Sequence, residues 1–302
     1  MKYIWFIIVY MPFCSILNSQ NKGDLQRNRG NLQSAINSYK KDLSLKKEDY
    51  TLNYNLACIY AIMYKKDSAF HYLKKALKTN NSLWALADND LFSLTSDIRW
   101  KSIENQQIEK FQNHNHKLKN PKYAIELLRL IMKDQALDYQ LDMAKRFYVD
   151  NNTAPHWYYP IAAMKKEITK NNFNKMEALI KKYGWPTYSK VGKIAADGPL
   201  LVINHHAKDS IRIKYISKIK EACLNKDGSC IEYAKIQDRI LVNSGKPQLY
   251  GMQFKYDSSR NLIPFPIYKP HLVDKRRKKI GLKSLKQYLK KKINYNFNTI
   301  QE

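Results

Sequence analysis

The sequence is poor in glycine, poor in cysteine and poor in acid. Nine glycines in 302 residues argue against a glycine-rich barrel or propeller and leave helix as the dominant element. Four cysteines form no C-x-x-C pair, so a zinc site is not expected. The phosphate loop G-x-x-x-x-G-K-[ST], the dinucleotide string G-x-G-x-x-G, the zinc motif H-E-x-x-H and the nucleophile elbow G-x-S-x-G are all absent. Phosphoryl transfer from nucleotides, dinucleotide redox chemistry and the common zinc and serine hydrolases therefore have no support. No cofactor and no metal is expected. No hydrophobic run is long enough for a comfortable membrane span.

Acidic residues number 26 against 53 Lys and Arg, a formal net charge of +27. Two readings compete. One is an anionic partner such as an envelope polymer. The other is solvated basic faces in a chain whose Lys, Asn, Ile and Tyr content fits an AT-rich genome. The single basic cluster, Lys275–Lys279, has no interleaved aromatics, so nucleic acid is not the expected partner.

The first residues read as an export signal. Lys2 gives a positive start, Tyr3–Phe13 is almost unbroken apolar sequence, and Ser15–Ser19 turns polar. Cleavage before Gln20 is one outcome and lipid anchoring at Cys14 the alternative. The mature chain is expected to be exported, periplasmic, envelope-associated or secreted, with no transmembrane span. Cys223 and Cys230 flank a turn-like insert and suit a small disulfide in an oxidising compartment. Cys58 lies in an apolar helical pattern and reads as a buried small side chain.

The expected fold is all-α, with N-terminal helical hairpins followed by a mostly helical domain containing a short extended or hairpin segment. Leu32, Ala35, Ile36, Tyr39 and Leu43 share one helical face, and Tyr54, Ala57, Cys58 and Ala61 repeat the plan. Asp67 is placed to cap the next helix, with Ala69, Phe70, Leu73, Ala76 and Leu77 inward. Small residues at these points resemble a tetratricopeptide-type repeat, which implies a concave protein- or peptide-docking surface. The segment with Trp84, Asp88, Asp90, Leu91, Leu94, Asp97 and Trp100 resembles the cap that closes such repeats. Its aspartates read as turn and cap chemistry rather than a metal loop.

The boundaries that follow are a signal at 1–19, repeats and cap at 20–102, a linking helix at 103–120, a helical domain at 121–292 and a tail at 293–302. Within the helical domain Ile125, Leu128, Ile131, Met132, Leu137, Leu141 and Ala144 lie on or near one stripe. Two helices are expected between Ile161 and Lys182. Ser189 is placed to cap the helix that follows, and Gly198-Pro199 should kink or divide that helix.

Gly184-Trp185-Pro186-Thr187, Val191-Gly192, Asn204-His205, Asp238-Arg239, the run Pro247–Gln253 and Arg276 or Arg277 before Gly281-Leu282 occur in that order. Together they resemble a widespread bacterial family known only as a domain of unknown function. The resemblance implies a shared fold and no reaction. Asn204 stands where the family pattern has Gln, and Met252 where it has Thr. Asp134-Gln135 fits an upstream motif that lacks the following Arg and has Asp138 nearby.

The polar residues that could carry chemistry are Asp134, Gln135, His205 or His206, Asp238, Arg239, Gln248, Tyr250 and Gln253. A histidine emerging from the apolar run Leu200–Ile203 suits a general base. Asp238 could orient it, and Arg239, Gln248 and Gln253 could hold a polar substrate. The competing reading is that these side chains pin loops by satisfying backbone groups. Adjacent Asp238 and Arg239 point in different directions on a helix and need not act together. Two functions follow: a binding protein of the cell envelope, or a hydrolase-like enzyme. Convergence of His205, Asp238 and Gln253 in one open pocket would favour the enzyme. Burial of each against backbone would favour binding.

Overall fold

The computed structural model describes residues 21–259 and 261–298. The expected export segment, residues 1–19, lies outside them. Among the described residues there are fourteen α-helices, three short 3-10 segments and one two-stranded sheet. No helix among them is long and apolar enough to cross a membrane.

The first four helices form two packed pairs. Asn21 opens α1 (Lys22–Asn28) by accepting the Gly23 N–H at 2.9 Å. Helix α2 (Leu32–Leu45) turns Ala35, Ile36 and Tyr39 inward. Asp49 caps α3 (Tyr50–Ile62) on the Leu52 N–H at 2.9 Å. Helix α3 packs against α2, against α4 (Lys66–Leu77) and against the 3-10 segment Asn89–Ser96. That surrounds it, so nine of its residues are buried and it lacks a polar face. Each fully buried Leu or Phe here, such as Leu73 or Phe70, contributes roughly 1.5–3 kcal/mol.

Asp88 and Asp97 cap as their sequence suggests. Asp88 accepts the Asp90 N–H at 3.0 Å, and Asp97 accepts the Arg99 N–H at 3.1 Å. Asp67 does not. The cap position of α4 is Lys65, and Asp67 sits in the first turn with its carboxylate on Arg99 at 2.7 Å. Helix α5 (Ile98–His114) starts inside the cap segment and buries Trp100, Ile103 and Ile108.

The long stripe expected from Ile125 to Ala144 is two helices, α6 (Pro121–Asp134) and α7 (Asp138–Asn151). The break is at Leu137, whose φ of 70° is left-handed. No glycine or proline marks it, so the hydrophobic period runs through unbroken. Conversely, the two helices expected after Ile161 are one, α8 (Tyr158–Tyr183). Its only proline, Pro160, lies in the first turn, where a missing N–H costs nothing.

Short α9 (Tyr188–Val191) takes in Ser189, whose hydroxyl and N–H both bond Asp227 at 2.7 Å. Ser189 therefore ties α9 to the loop holding Asp227, and Gly192 stands at the cap of α10 (Lys193–His205). Pro199 lies inside α10 without dividing it. The neighbouring Gly198 lets α10 press on α6, since an added Cβ would stand 3.0 Å from the Leu127 carbonyl. Helices α11 (Asp209–Leu224) and α12 (Cys230–Asn243) follow, joined by the Cys223–Cys230 disulfide.

The extended region after α12 holds the hairpin. Strand β1 (Phe254–Tyr256) runs antiparallel to β2 (Leu262–Pro264), with Phe254 opposite Pro264. Helices α13 (Val273–Lys279) and α14 (Leu285–Ile293) close the chain. One apolar core runs from Ala35 to Met252, so the N-terminal pairs and the later helices share it. A small second core gathers Val273, Leu285, Leu289 and Phe297.

Candidate functional site

The eight candidate residues fall into two groups. The first is a loop clamp. Helix α12 carries Asp238, fully buried, against the loop that follows it. Its Oδ1 accepts the N–H groups of Leu249 at 2.8 Å and Tyr250 at 3.1 Å. Its Oδ2 accepts Tyr250 again at 3.1 Å and Met252 at 2.9 Å. Burial pushes its pKa up to about 6, against the pull of those N–H groups and of Arg277.

Gln248, also fully buried, works the same way. Its amide donates to the carbonyls of Gln253 at 3.0 Å and Phe265 at 2.8 Å, and its oxygen accepts the Gln253 N–H at 2.8 Å. The Gln253 side chain donates to the Lys235 carbonyl at 2.9 Å. Tyr250 is buried edge-on against Tyr233 at 5.9 Å. Arg277, from α13, donates to the Tyr250 carbonyl and to the Lys283 carbonyl and lies 4.9 Å from the Tyr288 ring. Asp238, Gln248 and Gln253 thus meet backbone, and they shape the turn that enters β1.

The second group is a helix junction. His205 ends α10, and its Nδ1 lies 2.6 Å from Oδ2 of Asp134, the last residue of α6. The carboxylate that meets this histidine is therefore that of Asp134. The Asp134 side chain is 1% exposed and His205 16% exposed. Lys165 of α8 donates to the Asp134 carbonyl, to the Ala136 carbonyl at 3.0 Å and to Asp138 at 2.7 Å. Leu137, left-handed between them, bends the chain so that this one ammonium serves all three. Burial raises the Asp138 pKa, opposed by Lys165. Gln135 ends α6 as its C-cap residue.

Arg239 turns away from its neighbour Asp238 and donates to the Asn204 carbonyl at 2.7 Å. Arg212 donates to the same carbonyl at 2.8 Å and also to that of His206. His206 itself packs on Phe173, rings 4.5 Å apart. Chemically, an ionised Asp134 accepting the Nδ1 proton would fix the His205 tautomer and make Nε2 the basic nitrogen.

Residues 121–297 match a family described as "Family of unknown function (DUF6624)". The chain belongs to the DUF6624 family. Searches of curated proteins and of solved structures gave no match. Both candidate groups lie within the DUF6624 domain.

Outside that domain, among the described residues, one group has metal-ligand chemistry. Donor atoms of Cys58, Asp88 and Asp90 lie within 4.8 Å of one another. Arg27 already pairs with Asp90, and the Tyr54 hydroxyl donates to Asp88 at 2.7 Å. Burial, and then the charge of Asp90, pushes Asp88 up to about 6, and burial raises the Cys58 thiol. A protonated thiol and a guanidinium-paired carboxylate make a poor cation site as they stand.

A groove lies elsewhere again. About 440 Å³ opens among α5, α6 and α8, where the N-terminal helices meet the DUF6624 domain. Lys101, Lys122, Arg129, Lys175 and Lys182 line it against Glu104 and Glu126. Sequence reasoning missed this groove and missed Lys165. In a chain with 53 Lys and Arg, no local signal separates these lysines from solvated ones.

Proposed function

We propose that the protein is an exported binding protein of the cell envelope. In this reading α1–α4 serve as tetratricopeptide-type repeats, and the ligand or protein partner sits in the groove among α5, α6 and α8. The observation that carries it is where open space lies. The groove, about 440 Å³, falls within the ~300–1,000 Å³ range of ligand sites. Asp238, Gln248 and Gln253 meanwhile spend polar atoms on backbone. The Cys223–Cys230 disulfide supports export, because such bonds persist in oxidising compartments.

Two measurements test this. Expression of the whole chain in a bacterial host, with cell fractionation and intact mass, should find a shortened or lipid-bearing chain in the envelope or medium. Full-length chain in the cytoplasm would refute export. A thermal-shift screen of peptides, sugars, amides and nucleosides should yield a ligand that stabilises wild type but not Ala178→Trp, which fills the groove. Ligands that stabilise both equally would refute the groove.

The Asp134–His205 contact supports a second reading, a hydrolase. His205 would act as base, Asp134 would orient it, and Arg239 and Gln135 would lie nearby to hold substrate. Asp238, Gln248, Tyr250 and Gln253 would shape the adjoining loop. Chromogenic ester, amide and glycoside substrates test it. Turnover lost in both His205→Ala and Asp134→Asn, with the fold intact, supports an enzyme. Turnover unchanged in both refutes it.

A further inference from the structure

We infer that the groove among α5, α6 and α8 takes an acidic peptide segment that also carries an apolar side chain, presented by a partner protein. This rests on the binding reading above and names the chemistry of its partner. The groove's own acids are spoken for. Glu104 is buried and takes Arg129 through Nε at 2.7 Å and through Nη2 at 2.5 Å, with the Trp100 indole N–H at 3.0 Å. Glu126 takes Lys175 at 2.8 Å and Arg129 at 3.3 Å. Lys101, Lys122 and Lys182 meet no acidic partner among the described residues. They come from three different helices and ring one opening. Three lysines converging without counter-charge favour an anion from solution.

The floor decides which anion. Ile125, Ala178 and Leu179 line it, and Ala178 is exposed. An apolar floor inside a cationic rim matches a ligand with an apolar anchor between carboxylates. A sugar polyanion has nothing to put on that floor. A nucleobase would need a free aromatic face. The one tyrosine in the groove, Tyr183, is engaged: it stacks on Tyr123 with centroids 4.7 Å apart, and Lys182 lies 4.9 Å from its centroid.

The test uses the full chain and fluorescence anisotropy. The probes are short labelled peptides of alternating glutamate and leucine, with glutamine–leucine peptides as controls and a heparin fragment and oligo-thymidine as competitors. The glutamate peptide should bind about tenfold tighter than the glutamine one, and more weakly as salt rises. Lys122→Glu with Lys182→Glu should weaken it by about tenfold or more. Ala178→Trp should block it. All three positions are exposed, and circular dichroism confirms that the variants fold. Glutamine and glutamate peptides binding equally, both blocked by Ala178→Trp, would overturn the acidic class and leave the groove standing. Heparin or thymidine binding that the double charge reversal abolishes, without peptide binding, would overturn the peptide in favour of a polyanion. Peptide binding untouched by Ala178→Trp, or absent for every probe, would overturn the groove itself.

Discussion

Removing the Asp238 carboxylate should damage stability, and by a size that follows from its bonds. In Asp238→Ala the N–H groups of Leu249, Tyr250 and Met252 lose their acceptor at a fully buried position. An orphaned buried donor costs about 1–3 kcal/mol, so three would cost about 3–9 kcal/mol. Relaxation of the loop and entry of water trim the upper end. We expect about 3–5 kcal/mol, the usual loss when one partner of a buried charged network goes. Asp238→Asn keeps one acceptor but turns an amide N–H toward backbone N–H groups, and should lose about half as much. Urea unfolding followed by circular dichroism measures both, and limited proteolysis should show new cleavage between residues 244 and 259. An Asp238→Ala protein within about 1 kcal/mol of wild type would refute the clamp. That outcome would return Asp238 to the candidate catalytic set.

Cys223→Ser should cost about 2–3 kcal/mol, from a loop of sequence separation 7 and the entropy of closing it; an equal loss on reduction of wild type checks it. Gly251→Ala should cost about 2–4 kcal/mol, because φ is +77° and the new Cβ would meet Leu285 Cδ1 at 2.4 Å; a neutral change would mean that the loop rearranges freely. Burial raises Asp197 to about 7, with the charge of Glu232 adding to it, and raises Asp238 to about 6. Both folded-state values exceed the unfolded ones, so the folded state holds extra protons in between. Their contribution is complete below about pH 4 and is lost as pH rises through about 6 and 7. Asp197→Asn should flatten the upper part of that slope in urea midpoints, and an unchanged slope would exclude Asp197 as its source.

Most of the fold was legible in local pattern. The helix pairs of the first hundred residues follow from apolar spacing, and the aspartate caps at 88 and 97 from their place before helical runs. The hairpin follows from prolines that forbid helix. What was not legible depended on tertiary context. Nothing local says that Leu137 turns left-handed, because a leucine takes that conformation only when surrounding structure holds it there. Likewise Pro199 stays inside α10 because packing on α6 outweighs a lost backbone bond. The site was legible as a set of residues and not as a set of pairs. Asp238 is nearer His205 in sequence than Asp134 is, yet the carboxylate at 2.6 Å is that of Asp134, 71 residues away.

Three positions near the two candidate groups act through backbone or through a charge pairing. Position 252 serves the clamp through its backbone N–H to Asp238 at 2.9 Å. Any residue except proline supplies that group. The Asn204 backbone carbonyl receives Arg212 at 2.8 Å and Arg239 at 2.7 Å. The side chain at 204 is again not the bonded part. Asp138, just after Asp134-Gln135, takes its cation from Lys165 of α8 at 2.7 Å. At these three places a backbone bond or a charge pairing is met. That is how positions behave when geometry is what matters. A reacting side chain instead does the chemistry with its own atoms. The pair that remains side chain to side chain is Asp134 with His205. It is therefore where a reaction of this domain should be sought first.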